Sequence, residues 1–149
     1  DNIYVLTTFQ ACSLKTAAIM NGNQIKGEEV MVNCLIVGMG GFIGAVCRYL
    51  IGLIPVKESC IFPIKTFAIN ILGSFIIGII AAAAVRNSTL NPRLVLFLKV
   101  GICGGFTTFS SFALETADLL KNGNSLIGML YIILSVMGGV AAVLLGENL

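Results

Sequence analysis

The 149-residue sequence has no histidine and no tryptophan. Without histidine there is no imidazole to ligate a metal or to exchange protons near neutral pH. Without tryptophan, the aromatic drug pockets of multidrug exporters lose a common component. Charge is scarce as well: Asp, Glu, Lys and Arg make up 11% of the chain, against about 25% in a soluble domain, so water is not the solvent for most of it. The signs nearly cancel at net +2, which leaves no clustered basic face and sets nucleic-acid binding aside. The five cysteines (Cys12, Cys34, Cys47, Cys60, Cys103) are odd in number and lack close paired spacing. They read as small apolar packing residues rather than disulfides or a metal site. No nucleophile–base set or metal cluster is visible, so enzymatic chemistry is not expected.

What the sequence does have is apolar length, with a mean hydropathy of +0.99. Crossing about 30 Å of hydrocarbon takes roughly 20 helical residues. Four runs reach that length: Val32 to Ile54, Ile64 to Val85, Leu94 to Leu120 and Leu126 to Leu145. Pro55, Lys57 and Glu58, then Arg86 to Arg93, then Lys121 to Asn124 punctuate them. These short connections leave no room for a water-soluble domain, and the expected fold is an all-α integral membrane four-helix bundle over residues 31–149.

Residues 1–30 differ in kind. Asn, Gln, Thr, Lys and Glu interrupt short apolar runs, in an order unlike a signal peptide. The expectation is a poorly structured extension upstream of a natural start at Met31; the codons expected for "KGEEV" (Lys26 to Val30) are purine-rich, like a translated ribosome-binding site. A genuine disordered or interfacial tail is the alternative.

Orientation should follow Lys and Arg in the loops. Counted from Met31, Arg86, Arg93 and Lys99 fall toward one side and Arg48, Lys57, Lys65 and Lys121 toward the other. Such balance suits insertion in both directions and antiparallel pairing as a C₂ dimer with its axis in the membrane plane.

Polar groups at membrane depth are costly and point to function. In "GMGGFIGAVCRYL" (Gly38 to Leu50) small residues allow close helix approach. Arg48 there either snorkels to an interface or lends positive charge to an anion vestibule. In "NILGSFIIG" Asn70 either bonds a neighbouring helix or offers amide hydrogens to an anion. Tyr131 and Ser135, four apart, share a helix face.

The stretch "GICGGFTTFSSF" (Gly101 to Phe112) is the strangest. Its glycines lower helix propensity, and its Thr and Ser can bond freed backbone groups, which predicts a break in the third helix near Gly104 to Thr108. Such a break is tolerated only inside protein or beside a cavity, and its carbonyls suit a hard monovalent cation. Phe106, Phe109 and Phe112 recur every three residues, beside Ser110, Ser111 and Glu115. A phenylalanine stripe is ordinarily core packing. Alternating with hydroxyls, its electropositive ring edges could also form a narrow path for a small hydrated anion.

Taken in order, "GGFIGAVCRYL", "NILGSFIIG", "GICGGFTTFSSFALE" and "YIILS" resemble the Fluc (CrcB-like) family of fluoride channels, over nearly all of the chain from Met31 onward. The resemblance implies a dual-topology antiparallel homodimer in the inner (plasma) membrane, with two pores that export toxic fluoride passively from the cytoplasm. It implies pore roles for Asn70, Phe109, Ser110, Ser111, Phe112, Glu115, Tyr131 and Ser135, and a vestibule role for Arg48. It also implies a structural sodium ion held by the backbone carbonyls of Gly104 and Thr107 from both subunits. Two rivals remain on sequence alone. One is a small proton-coupled multidrug exporter, for which Glu115 is the one acidic candidate; the other is a non-transporting membrane assembly subunit.

Overall fold

A computed structural model describes residues 27–56, 60–87 and 89–149. The expected extension therefore lies outside the described residues up to residue 26. Residues 27–30 are helical, as the first turn of α1 (Gly27–Gly52), where Glu28 and Glu29 meet the positive end of the helix dipole.

The described residues are helical, with no strand among them. α1 is followed by α2 (Ile64–Arg86), then by α3 (Pro92–Leu96), which runs into a π-helical segment, Phe97–Cys103, and into the short α4 (Gly104–Phe106). After two non-helical residues the chain continues as α5 (Phe109–Lys121) and ends in α6 (Ser125–Glu147). Among the described residues, four helical rods are long and apolar enough to cross a membrane: α1, α2, the interrupted rod Pro92–Lys121, and α6. This is the arrangement expected from the four apolar runs.

Local chemistry sets the ends of these rods. Asn91 caps α3 by accepting from the Arg93 amide at 2.9 Å, with Pro92 in the first turn where its missing N–H costs nothing. α5 closes in a Schellman turn: Gly123, at φ 77°, donates to Leu120 O, and Asn124 donates to Leu119 O at 2.9 Å. That turn folds α6 back, so Gly128 packs on Leu119 and Leu120.

Glycines set how the rods cross. A Cβ on Gly40 would lie 2.6 Å from Phe97 O and 2.8 Å from the Gly101 Cα, and Gly44 faces Ile102 and Phe106 further along. The contacts advance together along both rods, so α1 and the interrupted rod run parallel. Gly138 meets Ile71, Gly139 meets Ser74 and Gly146 meets Gly78, which makes α2 and α6 parallel too. These two form the most extensive pair in the bundle. Contacts of this closeness need small residues, since packing rather than hydrophobicity drives helix association in lipid.

The third rod is broken within the expected range, but the glycines are not where the backbone leaves the helix. Gly104 keeps helical angles, φ −64° and ψ −37°. The departure comes at Thr107 (φ −76°, ψ 157°) and Thr108 (φ −149°, ψ 113°). Gly101 and Gly105 serve instead to bring the rod against Gly40 and Gly41 of α1. The π-helical turns just upstream did not show in the residue pattern; such turns occur inside helices, frequently at functional sites.

Candidate functional site

The break is held together by side chains on both of its flanks. Thr107 Oγ1 donates back to Cys103 O at 3.0 Å, where the Thr107 amide also donates. Thr108 Oγ1 accepts from the Ser111 amide at 3.2 Å and so caps α5. Asn70 of α2 completes the set: its Oδ1 accepts from Thr108 N at 2.8 Å, and its Nδ2 donates to Thr108 O at 3.2 Å. One carboxamide thus satisfies both polar groups of the residue that leaves the helix, which would otherwise be costly at membrane depth. A second Nδ2 hydrogen remains after this pairing. Of the two readings open for Asn70, the contact with a neighbouring helix is present, and the spare donor keeps the other available.

Beside the break lies an open groove of about 320 Å³. Asn70, Ser74, Thr107, Phe109, Phe112 and Ser135 are among the residues that line it, as are Gly104 and Cys103. Phe109 is 79% exposed there. Its ring and that of Phe112 lie 5.7 Å apart at 49°, and Phe112 meets the Tyr131 ring edge-on at 5.0 Å. Ser135 Oγ is buried without a hydrogen-bond partner. A buried hydroxyl is ordinarily paired, with protein or with water.

Beyond Phe112 the polar groups regroup around Glu115. Thr66 Oγ1 donates to Glu115 Oε1 at 2.6 Å and Tyr131 OH donates to Oε2 at 2.8 Å. Tyr131 is fully buried, and Phe62 packs edge-on against it at 5.3 Å. A second cavity, of about 290 Å³, opens on this side and is lined in part by Lys65, Thr66 and Glu115.

The structure therefore brings Asn70, Phe109, Phe112 and Ser135 to one groove, and links Glu115 and Tyr131 through hydroxyl bonds at its far end. Ser110 and Ser111 do not line that groove; both bond Thr108 Oγ1, at 3.2 and 3.1 Å. Arg48 is half-buried rather than reaching outward, and its Nε donates to Gly105 O at 3.3 Å. Thr66 was missed by reading the sequence. The sequence puts it four residues before Asn70 and so on the same face of α2, but does not show that Glu115 is its partner.

The carbonyls of Gly104 and Thr107 accept no hydrogen bond from the described residues. Among those residues, no grouping of His, Cys, Asp or Glu could hold a metal. What the break presents to a cation is neutral carbonyl oxygen, a donor type suited to a hard ion.

Comparison with known proteins places the chain in a family. Residues 35–147 match the family model described as CrcB-like protein, Camphor Resistance (CrcB). A Chlorobium chlorochromatii protein named fluoride-specific ion channel FluC is 46% identical over 112 residues, which is 75% of this chain and 87% of the relative. The protein of that name from Chlorobaculum tepidum is 46% identical over 120 residues, 80% and 95% of the two chains. One from Ruminiclostridium cellulolyticum is 45% identical over 120 residues, 80% and 92%. A match that spans all four rods and the break between α4 and α5 leaves one assignment: the chain belongs to the CrcB-like family.

Proposed function

We propose that this chain is a fluoride-selective channel of the inner (plasma) membrane, which lets fluoride leave the cytoplasm passively and so relieves its toxicity. Its relatives carry the name fluoride-specific ion channel, and the groove supplies the chemistry. A small, strongly hydrated anion has to exchange water for donors. The electropositive edges of Phe109 and Phe112, the spare Asn70 amide hydrogen and the unpartnered Ser135 hydroxyl are such donors along one wall. Ser110 and Ser111 extend the hydroxyl supply at the start of α5, and Arg48, with one of its five N–H groups used on Gly105, gives a vestibule positive charge. Tyr131 acts by holding Glu115 and by presenting a ring to Phe112.

The observation that carries the reading is the openness of this groove. Hydroxyls, a carboxamide and irregular backbone cannot face lipid tails, so something of protein must cover them. We assign that cover to a second copy inserted in the opposite sense, as the balanced loop charges allow. Each antiparallel dimer then has two equivalent paths. The paired breaks meet at its centre, where the Gly104 and Thr107 carbonyls of both copies would hold a structural sodium ion. The fit is favourable, because those carbonyls have no other partner among the described residues. The ion would supply a fixed positive charge that offsets the carbonyl dipoles and ties the copies together.

Reconstitution into liposomes tests the function. With valinomycin carrying compensating potassium, a fluoride-selective electrode should report rapid fluoride efflux and a chloride electrode none. Efflux of both anions, or of neither from verified folded protein, would overturn the reading.

A further inference from the structure

The proposed path ends near Phe112, but an ion must still get there from water, and Arg48 is engaged beside the break rather than at that end. The cavity of about 290 Å³ beyond Glu115 lies where such an entrance is needed. Its lining includes Cys60 and Phe62 from the α1–α2 connection, Lys65 and Thr66 from the first turn of α2, and Glu115 from α5. It adjoins the aromatic path through two short links: Glu115 accepts from Tyr131, and Tyr131 meets Phe112. Lys65 is half-buried, and its Nζ is fixed by donation to Gly52 O, at the C-terminal end of α1, at 2.7 Å. That bond uses one of three ammonium donors. In the same cavity, both Glu115 oxygens are already taken by hydroxyls of Thr66 and Tyr131.

We propose that this cavity is a mouth of the fluoride path and that Lys65 is its anion-concentrating residue, a second cationic position distinct from Arg48. The inference rests on the path proposed above. Fixing the ammonium to the end of α1 keeps one positive charge at the rim without closing the cavity. A unit charge about 5 Å from an anion in a water-like medium raises local anion occupancy about fourfold. Screening removes that advantage as the Debye length shrinks from about 30 Å at 0.01 M salt to about 3 Å at 1 M.

The test uses the full chain in liposomes, with fluoride below saturation and an impermeant salt setting ionic strength. Lys65→Gln should slow fluoride efflux about fourfold at low ionic strength and by less than about 1.5-fold near 1 M, while Lys65→Arg should stay near the unmodified rate. An unchanged rate, or the same loss at both ionic strengths, would overturn the proposal; the second result would mean that Lys65 only caps α1. If Lys65→Gln fails to fold, Cys60 gives an independent reading, because it is exposed in the same cavity. A cationic methanethiosulfonate adduct on Cys60 should raise low-salt efflux and an anionic one lower it, with Cys60→Ala insensitive to both; equal effects of the two signs would overturn the proposal. Phe112→Ile serves as the separate check. If it conducts normally, the path itself is misplaced. If it blocks while Lys65→Gln shows no salt-dependent loss, the mouth alone fails.

Discussion

Changing Asn70 to Asp separates the two things its carboxamide does. In the native protein Oδ1 receives the Thr108 amide at 2.8 Å, and Nδ2 reaches Thr108 O at 3.2 Å. Aspartate keeps the first bond, but it replaces the donor with an oxygen facing a carbonyl and sets a carboxylate on the groove wall. An anion passing about 5 Å from that carboxylate, at an effective dielectric of about 20, meets about 3 kcal/mol of repulsion, or roughly two orders of magnitude in rate. Asn70→Leu removes both bonds and adds no charge; its stranded Thr108 groups should cost about 1–3 kcal/mol each. The assay pairs electrode-monitored fluoride efflux from liposomes with thermal melting in detergent, read by size-exclusion chromatography. Asn70→Asp should lose flux far more than stability, and Asn70→Leu should lose stability. If Asn70→Asp conducts within about twofold of the unmodified channel and Asn70→Leu melts normally, Asn70 neither lines the path nor holds the break.

Phe109→Ile and Phe112→Ile remove the ring edges and should each reduce fluoride efflux while the dimer stays folded; flux at the native rate in both would sink the aromatic path. Thr66→Val deletes the 2.6 Å bond to Glu115 and should cost about 1–3 kcal/mol of stability, seen as a lower melting temperature together with slower efflux. Gly105→Ala drives a methyl into the Gly41 backbone; overpacking of this kind costs about 1–3 kcal/mol, so the yield of folded protein should fall, and an unchanged melting temperature would refute the close approach. Replacing sodium with N-methylglucamine should lower dimer stability in detergent, whereas a melting curve indifferent to the cation would count against a structural sodium.

Much of this was legible because lipid imposes strict rules. Apolar length alone located the four rods, and short connections forced them to neighbour one another. The break was legible in "GGFTTFSS", and of the two features read there the glycines stay helical, while the threonines leave the helix and bond the backbone as expected. Sequence spacing assumes a regular 3.6-residue turn, so the π-helical Phe97–Cys103 escaped it, and with it the facing of residues across that segment. Ser110 and Ser111 were read as hydroxyls beside the phenylalanines, and the structure bonds both to Thr108 Oγ1 at the start of α5. Thr66 went unnoticed for another reason. Its partner, Glu115, is 49 residues away, and no local pattern announces a pair brought together by the crossing of two rods.

The break also gives the proposed function its polarity. Among the described residues, the carbonyls of Gly104 and Thr107, where α4 stops, have no donors, and the amides of Phe109 and Ser110, where α5 starts, have no acceptors. The first lip carries the negative end of a helix and the second the positive end. Asn70 satisfies the backbone of Thr108, and Thr108 Oγ1 takes the Ser111 amide. The proposed cation would therefore sit on the Gly104–Thr107 side, and the proposed anion path would run from Phe109 onward, toward Phe112. On the proposed reading, a single interruption in one rod would separate the two ions, so that the proposed sodium site and fluoride path need not compete for the same oxygen atoms.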